Sequence, residues 1–302
     1  VIDEQHRFGV HQRLQLASKG IGVDVLVMTA TPIPRTLMLT AYGDMDVSRL
    51  MEKPIGRKPT DTRALPIERL DDIVNGVGRS MKTGAKIFWI CPLVEESEKI
   101  DLAAAEDRHA YLTKIFGSQV GLIHGRMKAA EKDTAMTAFT SGEVKILVAT
   151  TVIEVGVDVP DATVMVIEHA ERFGLAQLHQ LRGRIGRGDQ VSNCLLLYAQ
   201  PLGQIAKARL QVMRNTEDGF IIAEEDLKLR GAGELLGTRQ SGMAEFLLAN
   251  LAVHSDILAI ARDDAELFLQ RDPHLESERG QAIRTLLYLF SCDTAVRNLR
   301  SG

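Results

Sequence analysis

Residues 146–188, ILVATTVIEVGVDVPDATVMVIEHAERFGLAQLHQLRGRIGRG, decide the fold. An apolar run ends at Thr150 and Thr151, a loop with Glu154, Gly156 and Asp158 follows, and a second apolar run, Val164 to Glu168, carries the chain away. Strands that are apolar on both faces belong to parallel sheets covered by helices on both sides. From Leu175 to Leu181 the spacing turns helical. On a wheel continued to Arg187, Leu178, Leu181 and Ile185 share one face, and Gln177, Gln180, Arg184 and Arg187 the other. The apolar face packs on the sheet, and the other presents two guanidinium groups whose planar forks suit phosphate. A solvated arginine face is the ordinary alternative. Gly183, Gly186 and Gly188 weigh against it, because glycines this close weaken a helix by about 1 kcal/mol each and imply tight approach. In the loop, Gly156 permits close backbone approach and Asp158 can accept a hydrogen bond from a ribose hydroxyl.

Upstream, strands at Lys86 to Cys91, Val120 to His124 and Lys145 to Ala149 alternate with helices at about Glu95 to Phe116 and Ala129 to Thr140; downstream, Cys194 to Ala199 completes the set. The expectation is an α/β fold with a parallel sheet between helices. From Leu202 onward the pattern is helical to the end, broken by RGAGELLGTRQSG at 230–242. The stretch MEKPIGRKPTDTRALP, 51–66, is rich in proline and charge and reads as an interdomain linker. Before it, 22–46 reads as a buried strand, Val23 to Met28, a polar turn, and a helix begun after Pro32 and Pro34.

A chain of 302 residues can hold roughly two domains. Hydrophobic content of 45% and charged content of 25% describe a globular protein rather than a disordered one. The net charge of -4 gives no global basic signal, so nucleic-acid binding has to rest on local arginine clusters. Cys91, Cys194 and Cys292 lack metal-ligand spacing and read as reduced thiols. No apolar stretch is long enough to span a bilayer.

Two further motifs carry chemistry. VIDEQH, 1–6, runs an apolar pair into two carboxylates. At a strand end Asp3 can hold Mg²⁺, and Glu4 can orient or deprotonate the water that attacks a γ-phosphate; a solvated acidic turn is the alternative. MTATPIPR, 28–35, sets Thr29 and Thr31 around an alanine, where two hydroxyls can link a phosphate site across a cleft or cap the next helix. The Gly-rich Lys-Ser/Thr loop that such a site pairs with is absent from the sequence, KTGAKI at 82–87 being the nearest approach.

DEQH (3–6), TATPIPR (29–35), TTVIEVGVDVP (150–160) and QLRGRIGR (180–187), in this order and roughly at these spacings, resemble motifs II, III, V and VI of the superfamily-two helicases. The resemblance implies RecA-like domains of the P-loop NTPase class that use ATP and Mg²⁺. It makes Asp3 and Glu4 the Walker B pair, with Asp3 on the metal, and gives His6, Thr29, Thr31, Gly156 and Asp158 to nucleotide binding and coupling. Gln180, Arg184 and Arg187 complete the catalytic set, Arg187 as the finger. FWICPLVEESE (88–98) and GLIHGRMK (121–128) look like motif IV and its neighbour, which places His124, Arg126, Thr150 and Thr151 on the DNA.

RNTEDGFIIAEEDLKLRGAGELLGTRQSG, 214–242, resembles the helical hairpin and loop that branch-migrating DNA helicases share with transcription-repair coupling translocases, and GTRQSG favours the former. Arg230, Arg239 and Gln240 are then the polar groups that bind duplex or sense the motor. Leu227, Leu229, Leu235 and Leu236 bury under either reading. The implied organisation is the C-terminal part of a first RecA-like domain at 1–52, a linker at 53–66, a second RecA-like domain at 67–201, the hairpin and loop at 202–245 and a helical C-terminal region at 246–302. The chain is then a C-terminal piece of a longer ATP-dependent helicase and double-stranded DNA translocase. That protein acts on branched DNA, replication forks and Holliday junctions, with a single-stranded-DNA-binding protein as a further partner, as a cytoplasmic monomer without membrane contact. The piece alone, lacking the phosphate loop, is expected to be inactive. The alternatives are a transcription-repair coupling translocase and a non-catalytic DNA-binding module.

Overall fold

The computed structural model describes residues 1–3, 26, 28–30, 48–52, 56–92, 98–150, 159–230 and 255–290, apart from the side chains of 98–102, 230, 255, 256, 258 and 259. It divides into two compact units, Val1–Pro32 with Leu50–Asp226, and Ile33–Arg49 with Leu227–Gly302.

The first unit is built on a six-stranded sheet in which every pairing is parallel. The strands are β1 (Thr60–Pro66), β2 (Lys86–Ile90), β3 (Val120–Ile123), β4 (Ile146–Ala149), β5 (Ala162–Ile167) and β6 (Ser192–Tyr198), in the order β1-β6-β5-β2-β4-β3. Every residue of β2, β4 and β5 is buried, as the unbroken apolar runs require of central parallel strands. Helices α1 (Leu70–Lys82), α2 (Glu98–Phe116), α3 (Ala129–Ser141), α4 (Leu175–Arg182) and α5 (Gln204–Asn215) connect or flank the strands. On one face Ile73, Val74, Val77 and Met81 of α1 and Ala105 and Leu112 of α2 join Ile87, Trp89, Ile146, Val148, Val164 and Val166 in a single core. The alternate residues point to the opposite face, where Phe88 meets Phe139 of α3 with ring centroids 4.9 Å apart. The RecA-like α/β expectation is met.

Three expectations need correction. Half of the stretch read as linker, 53–66, is the edge strand β1, registered residue for residue on β6 from Thr60↔Ser192 to Pro66↔Tyr198. An edge strand is half-solvated, so its apolar signal is weak, and its closing proline needs no ladder donor there. Helix α5, assigned beyond residue 201 to the hairpin, belongs to the sheet unit, whose boundary falls at Asp226. The flank at 26–28 was read as buried, yet Leu26 and Met28 are 57% and 41% exposed.

The hairpin region begins with α6 (Gly219–Arg230), in which Leu227 is buried and Leu229 half-buried. Leu235 and Leu236 lie outside the described residues. In the second unit α7 (Ser255–Arg271) and α8 (Glu278–Leu289) are joined by a short turn. There the Asp272 carboxylate accepts from the Glu276 and Ser277 amides at 2.9 Å each, and the Ser277 hydroxyl caps α8 by accepting from the Gly280 amide at 3.0 Å. Bonds from the Ser277 side chain and the Glu276 amide hold the Asp272 carboxyl below its usual range.

Candidate nucleotide and nucleic-acid site

Three clusters of the expected residues are built by the fold. The first is at the chain's start. The Ile2 amide donates to the Leu26 carbonyl at 2.7 Å and the Met28 amide to the Ile2 carbonyl at 2.7 Å, the alternation of a parallel bridge. Asp3 and Thr29 each follow directly on this pairing, so the acidic motif and the hydroxyl motif leave the same end of neighbouring segments. Ligand sites of parallel sheets form beyond such carboxyl ends. Glu4, His6 and Thr31 lie outside the described residues.

The second cluster follows β3 and β4. His124 and Thr150 are the residues immediately after these adjacent strands, and the Thr150 amide donates to the Ile123 carbonyl at 3.3 Å. Thr150 is 2% exposed, and both its Oγ1 and the Nδ1 of His124 are buried without a hydrogen-bond partner among the described residues. Polar atoms buried in this way are costly unless something satisfies them. The loop beyond His124 is fixed by the Met127 amide on the His124 carbonyl, 3.2 Å, and by Lys132 Nζ on the Gly125 carbonyl, 3.1 Å, leaving Arg126 exposed at its tip. Thr151, Gly156 and Asp158 lie outside the described residues.

The third cluster is the arginine motif. Leu175, Leu178 and Leu181 seat α4, but the helix ends at Arg182 with Gly183 as its cap, so the helical wheel does not extend to Arg184 and Arg187. The chain instead turns through Arg184 N to Leu181 O (2.9 Å) and Ile185 N to Arg182 O (3.3 Å), then passes Gly186 with φ +69. A Cβ at 186 would sit 3.3 Å from both Ser192 Oγ and Thr60 Oγ1. The glycine therefore marks both a left-handed backbone and a close approach. Gln180 and Arg184 are half-buried, and Arg187 is exposed, its Nε donating to the Gly183 carbonyl at 3.4 Å. Arg230 ends α6, and Arg239 and Gln240 are outside the described residues.

Sequence reading missed two buried charge networks. The Arg182 guanidinium, 4% exposed, donates to the carbonyls of Met213 (2.7 Å) and Thr216 (3.0 Å), tying the arginine motif to the end of α5. Burial lowers its pKa, against the raising influence of Cys194 and Glu217. Glu217 in turn accepts from the Thr60 amide at the start of β1. Its signal was present: Leu175, Leu178 and Arg182 fall at i, i+3 and i+7, one face of the helix. The second network lies beyond β2 and β5, where Glu168 accepts from Trp89 Nε1 and from Arg108, whose Nη2 reaches Oε2 at 3.1 Å. The Arg108 guanidinium also stacks 5.3 Å from the Tyr111 ring centroid. Burial pulls the Arg108 pKa down, but the hydrogen bond and charge of Glu168 more than offset it. Among the described residues no cluster of three or more His, Cys, Asp or Glu side chains could hold a metal.

The family description "Helicase conserved C-terminal domain" matches residues 66–189, and "ATP-dependent DNA helicase RecG, domain 3, C-terminal" matches 216–288. The chain is 56% identical over 274 residues to the ATP-dependent DNA helicase RecG of Acidithiobacillus ferridurans, and 53% identical over 281 residues to that of Escherichia coli K12. Each alignment covers 90% of this chain and 40% of the relative, so the chain spans about two fifths of the curated relatives' length. A solved structure of RecG bound to a three-way DNA junction aligns with TM-score 0.65 and 44% identity over 85% of this chain and 33% of that one. Dbp5 of S. cerevisiae, at 16% identity and TM-score 0.51, shares the fold. The domain match at 216–288 decides between the two families that the hairpin resembles: the chain belongs to the RecG family of ATP-dependent DNA helicases.

Proposed function

We propose that the protein to which this chain belongs is an ATP-driven double-stranded DNA translocase that remodels stalled replication forks and branch-migrates Holliday junctions. The observation that carries the DNA half of this reading is the buried pair His124 Nδ1 and Thr150 Oγ1 at the carboxyl edge of the sheet, unpartnered among the described residues. A backbone phosphate or sugar hydroxyl would satisfy both, with Arg126 exposed at the tip of the loop that follows His124; Thr151 is assigned to the same ligand. The three-way junction bound by the RecG relative of known structure supports branched DNA as the ligand.

ATP hydrolysis supplies the free energy. Asp3 would hold Mg²⁺ and Glu4 would position water, at the same strand ends as Thr29; His6, Thr31, Gly156 and Asp158 would sense the nucleotide. Gln180, Arg184 and Arg187 would neutralise charge developing on the phosphates, with Arg187 as the finger. The arginine loop is held by Gly186 and anchored through Arg182, so its side chains are preorganised on a fixed turn. Arg230, Arg239 and Gln240 would pass closure of the two RecA-like domains to the duplex, and the five-segment organisation, with β1 and α5 reassigned to the second RecA-like domain, is part of the same reading. A cytoplasmic, monomeric protein that meets a single-stranded-DNA-binding protein at forks completes it; among the described residues no helix is long and apolar enough to cross a membrane.

The test uses the longer protein. DNA-stimulated ATP hydrolysis and branch migration of a synthetic Holliday junction are measured side by side for the wild type and Arg239→Ala. The reading expects hydrolysis to be kept and branch migration lost; equal loss of both would contradict a lever at the loop.

A further inference from the structure

Strand β5 runs out into a buried charge. Its six residues are buried, Glu168 follows at 6% exposed, and His169 then turns left-handed at φ 49 before the chain enters α4. A side chain of this size stays in that conformation only where its surroundings fix it. Some of the fixing bonds run forward along the turn. His169 Nδ1 bonds Glu171 Oε1 at 3.1 Å, the Ala199 amide donates to Glu171 Oε2 at 3.4 Å, and Arg209 Nη1 donates to the carbonyl of Phe173 at 3.1 Å, one residue before the cap of α4. Others run sideways along the carboxyl edge of the sheet: Glu168 N to Ile90 O at 2.9 Å, Cys91 N to Ala149 O at 2.8 Å, and Thr150 N to Ile123 O. The approach to the arginine helix and the His124–Thr150 pair therefore belong to one hydrogen-bonded edge.

Helix α2 does not close down on this turn. A cleft of about 380 Å³ lies between Asp107 and Tyr111 of the helix and His169 and Arg172 of the turn, and the Arg108–Glu168 pair bridges its two walls. Arg108 is itself held. Its Nη2 donates to Glu168 Oε2 at 3.1 Å, and its guanidinium stacks 5.3 Å from the Tyr111 ring, whose hydroxyl donates to Asp71 Oδ1 of α1 at 3.1 Å. A buried ion pair is a poor source of stability, because desolvation offsets much of the attraction and uncharged side chains of similar size serve as well. A forked pair does fix geometry, since both of its bonds demand one arrangement. Stability therefore does not account for a charge here, whereas holding a turn that faces an open cleft does. We propose that Arg108 and Glu168 are a positioning pair, which locks the turn from β5 to α4 onto α2 and so couples nucleic acid on the carboxyl edge to Arg184 and Arg187 beyond α4. A shift of the edge is then carried into the arginine helix instead of being absorbed in the turn. This role rests on the function proposed above.

The test replaces the pair by uncharged side chains of similar size in the longer protein, Arg108→Met with Glu168→Gln, the glutamine oxygen still accepting from Trp89 Nε1. Four quantities are compared with the wild type: the urea midpoint, affinity for a synthetic three-way junction, ATP hydrolysis without DNA, and hydrolysis at saturating junction. The first three are expected to be kept, and the ratio of stimulated to unstimulated hydrolysis to fall at least about fivefold, the scale of a coupling between sites. Wild-type stimulation in a folded double variant would overturn the proposal and leave the pair a purely structural one. Junction affinity lost along with stimulation would overturn it as well, by making the pair a DNA contact. If the double variant does not fold, Arg108→Lys carries the test, since it keeps the charge without the two-point hold; reduced stimulation supports the pair's role and wild-type stimulation overturns it. A wild-type protein that the junction does not stimulate would instead overturn the proposed function, and this role with it.

Discussion

Arg182 shows how one side chain can be hidden inside a motif rich in similar ones. It belongs to the same run as Arg184 and Arg187, but its guanidinium is buried against the Met213 and Thr216 carbonyls, while Arg187 is exposed. Truncating it leaves carbonyls buried without donors, at about 1–3 kcal/mol each. Arg182→Ala should therefore destabilise the chain by roughly 2–4 kcal/mol, read as a lower urea midpoint with an unchanged slope. The buried cysteines make a pH prediction. Burial pushes the Cys194 thiol up to about 12 from an ordinary 9.0, and raises Cys91 as well, with Glu168 adding to the effect. Because the unfolded thiols ionise first, their contribution to stability is intact below about pH 9 and is lost as pH rises toward 12. In the native chain at neutral pH, peptide mass spectrometry should find neither thiol alkylated by iodoacetamide, and both alkylated after unfolding. At this scale the sequence was read by residue type. It marked the arginines for phosphate as a class, and could not tell which one the core would take without following the leucine face of α4 through to residue 182.

At the scale of elements, periodicity identified what it physically encodes. Central strands such as β2, β4 and β5 are buried on both faces and announce themselves as apolar runs, so their positions were legible within a residue or two. Edge strand β1, with half of its surface in water and prolines around it, was taken for a linker. The arginine helix was placed at Leu175 to Leu181, within a residue of where it is found, but the helical wheel was carried on to Arg187 because apolar spacing continues to Ile185, whereas the backbone has already broken at Gly183 and turned left-handed at Gly186. Gly186→Ala forces a Cβ into positive φ beside Ser192 and Thr60, at about 1–2 kcal/mol. It should lower the melting temperature of the chain and, in the longer protein, cost more hydrolysis than that loss of stability explains, since the turn that carries Arg184 and Arg187 must shift. A variant with wild-type turnover would show that the turn tolerates a second geometry.

At the scale of the molecule, motif order was the most informative signal. Four short motifs and a hairpin, none decisive alone, appeared in one order along the chain, and the domain matches at 66–189 and 216–288 agree with it. The parallel sheet places the end of β3 beside that of β4, bringing together His124 and Thr150, which the sequence separates widely. The Ile2 bridge similarly sets Asp3 beside the Thr29 segment. Neither proximity could be read from spacing, because strand order is a property of the folded sheet. Under the function proposed above, this chain supplies the arginine half of an ATP site that is completed only when the motor closes. The most direct measurement is DNA-stimulated ATP turnover by the longer protein and its Arg187→Ala variant, together with ATP binding by each. Turnover should fall by orders of magnitude, on the order of 10³, with binding nearly unchanged; turnover that survives the substitution, or binding that is lost with it, would rule out Arg187 as the finger.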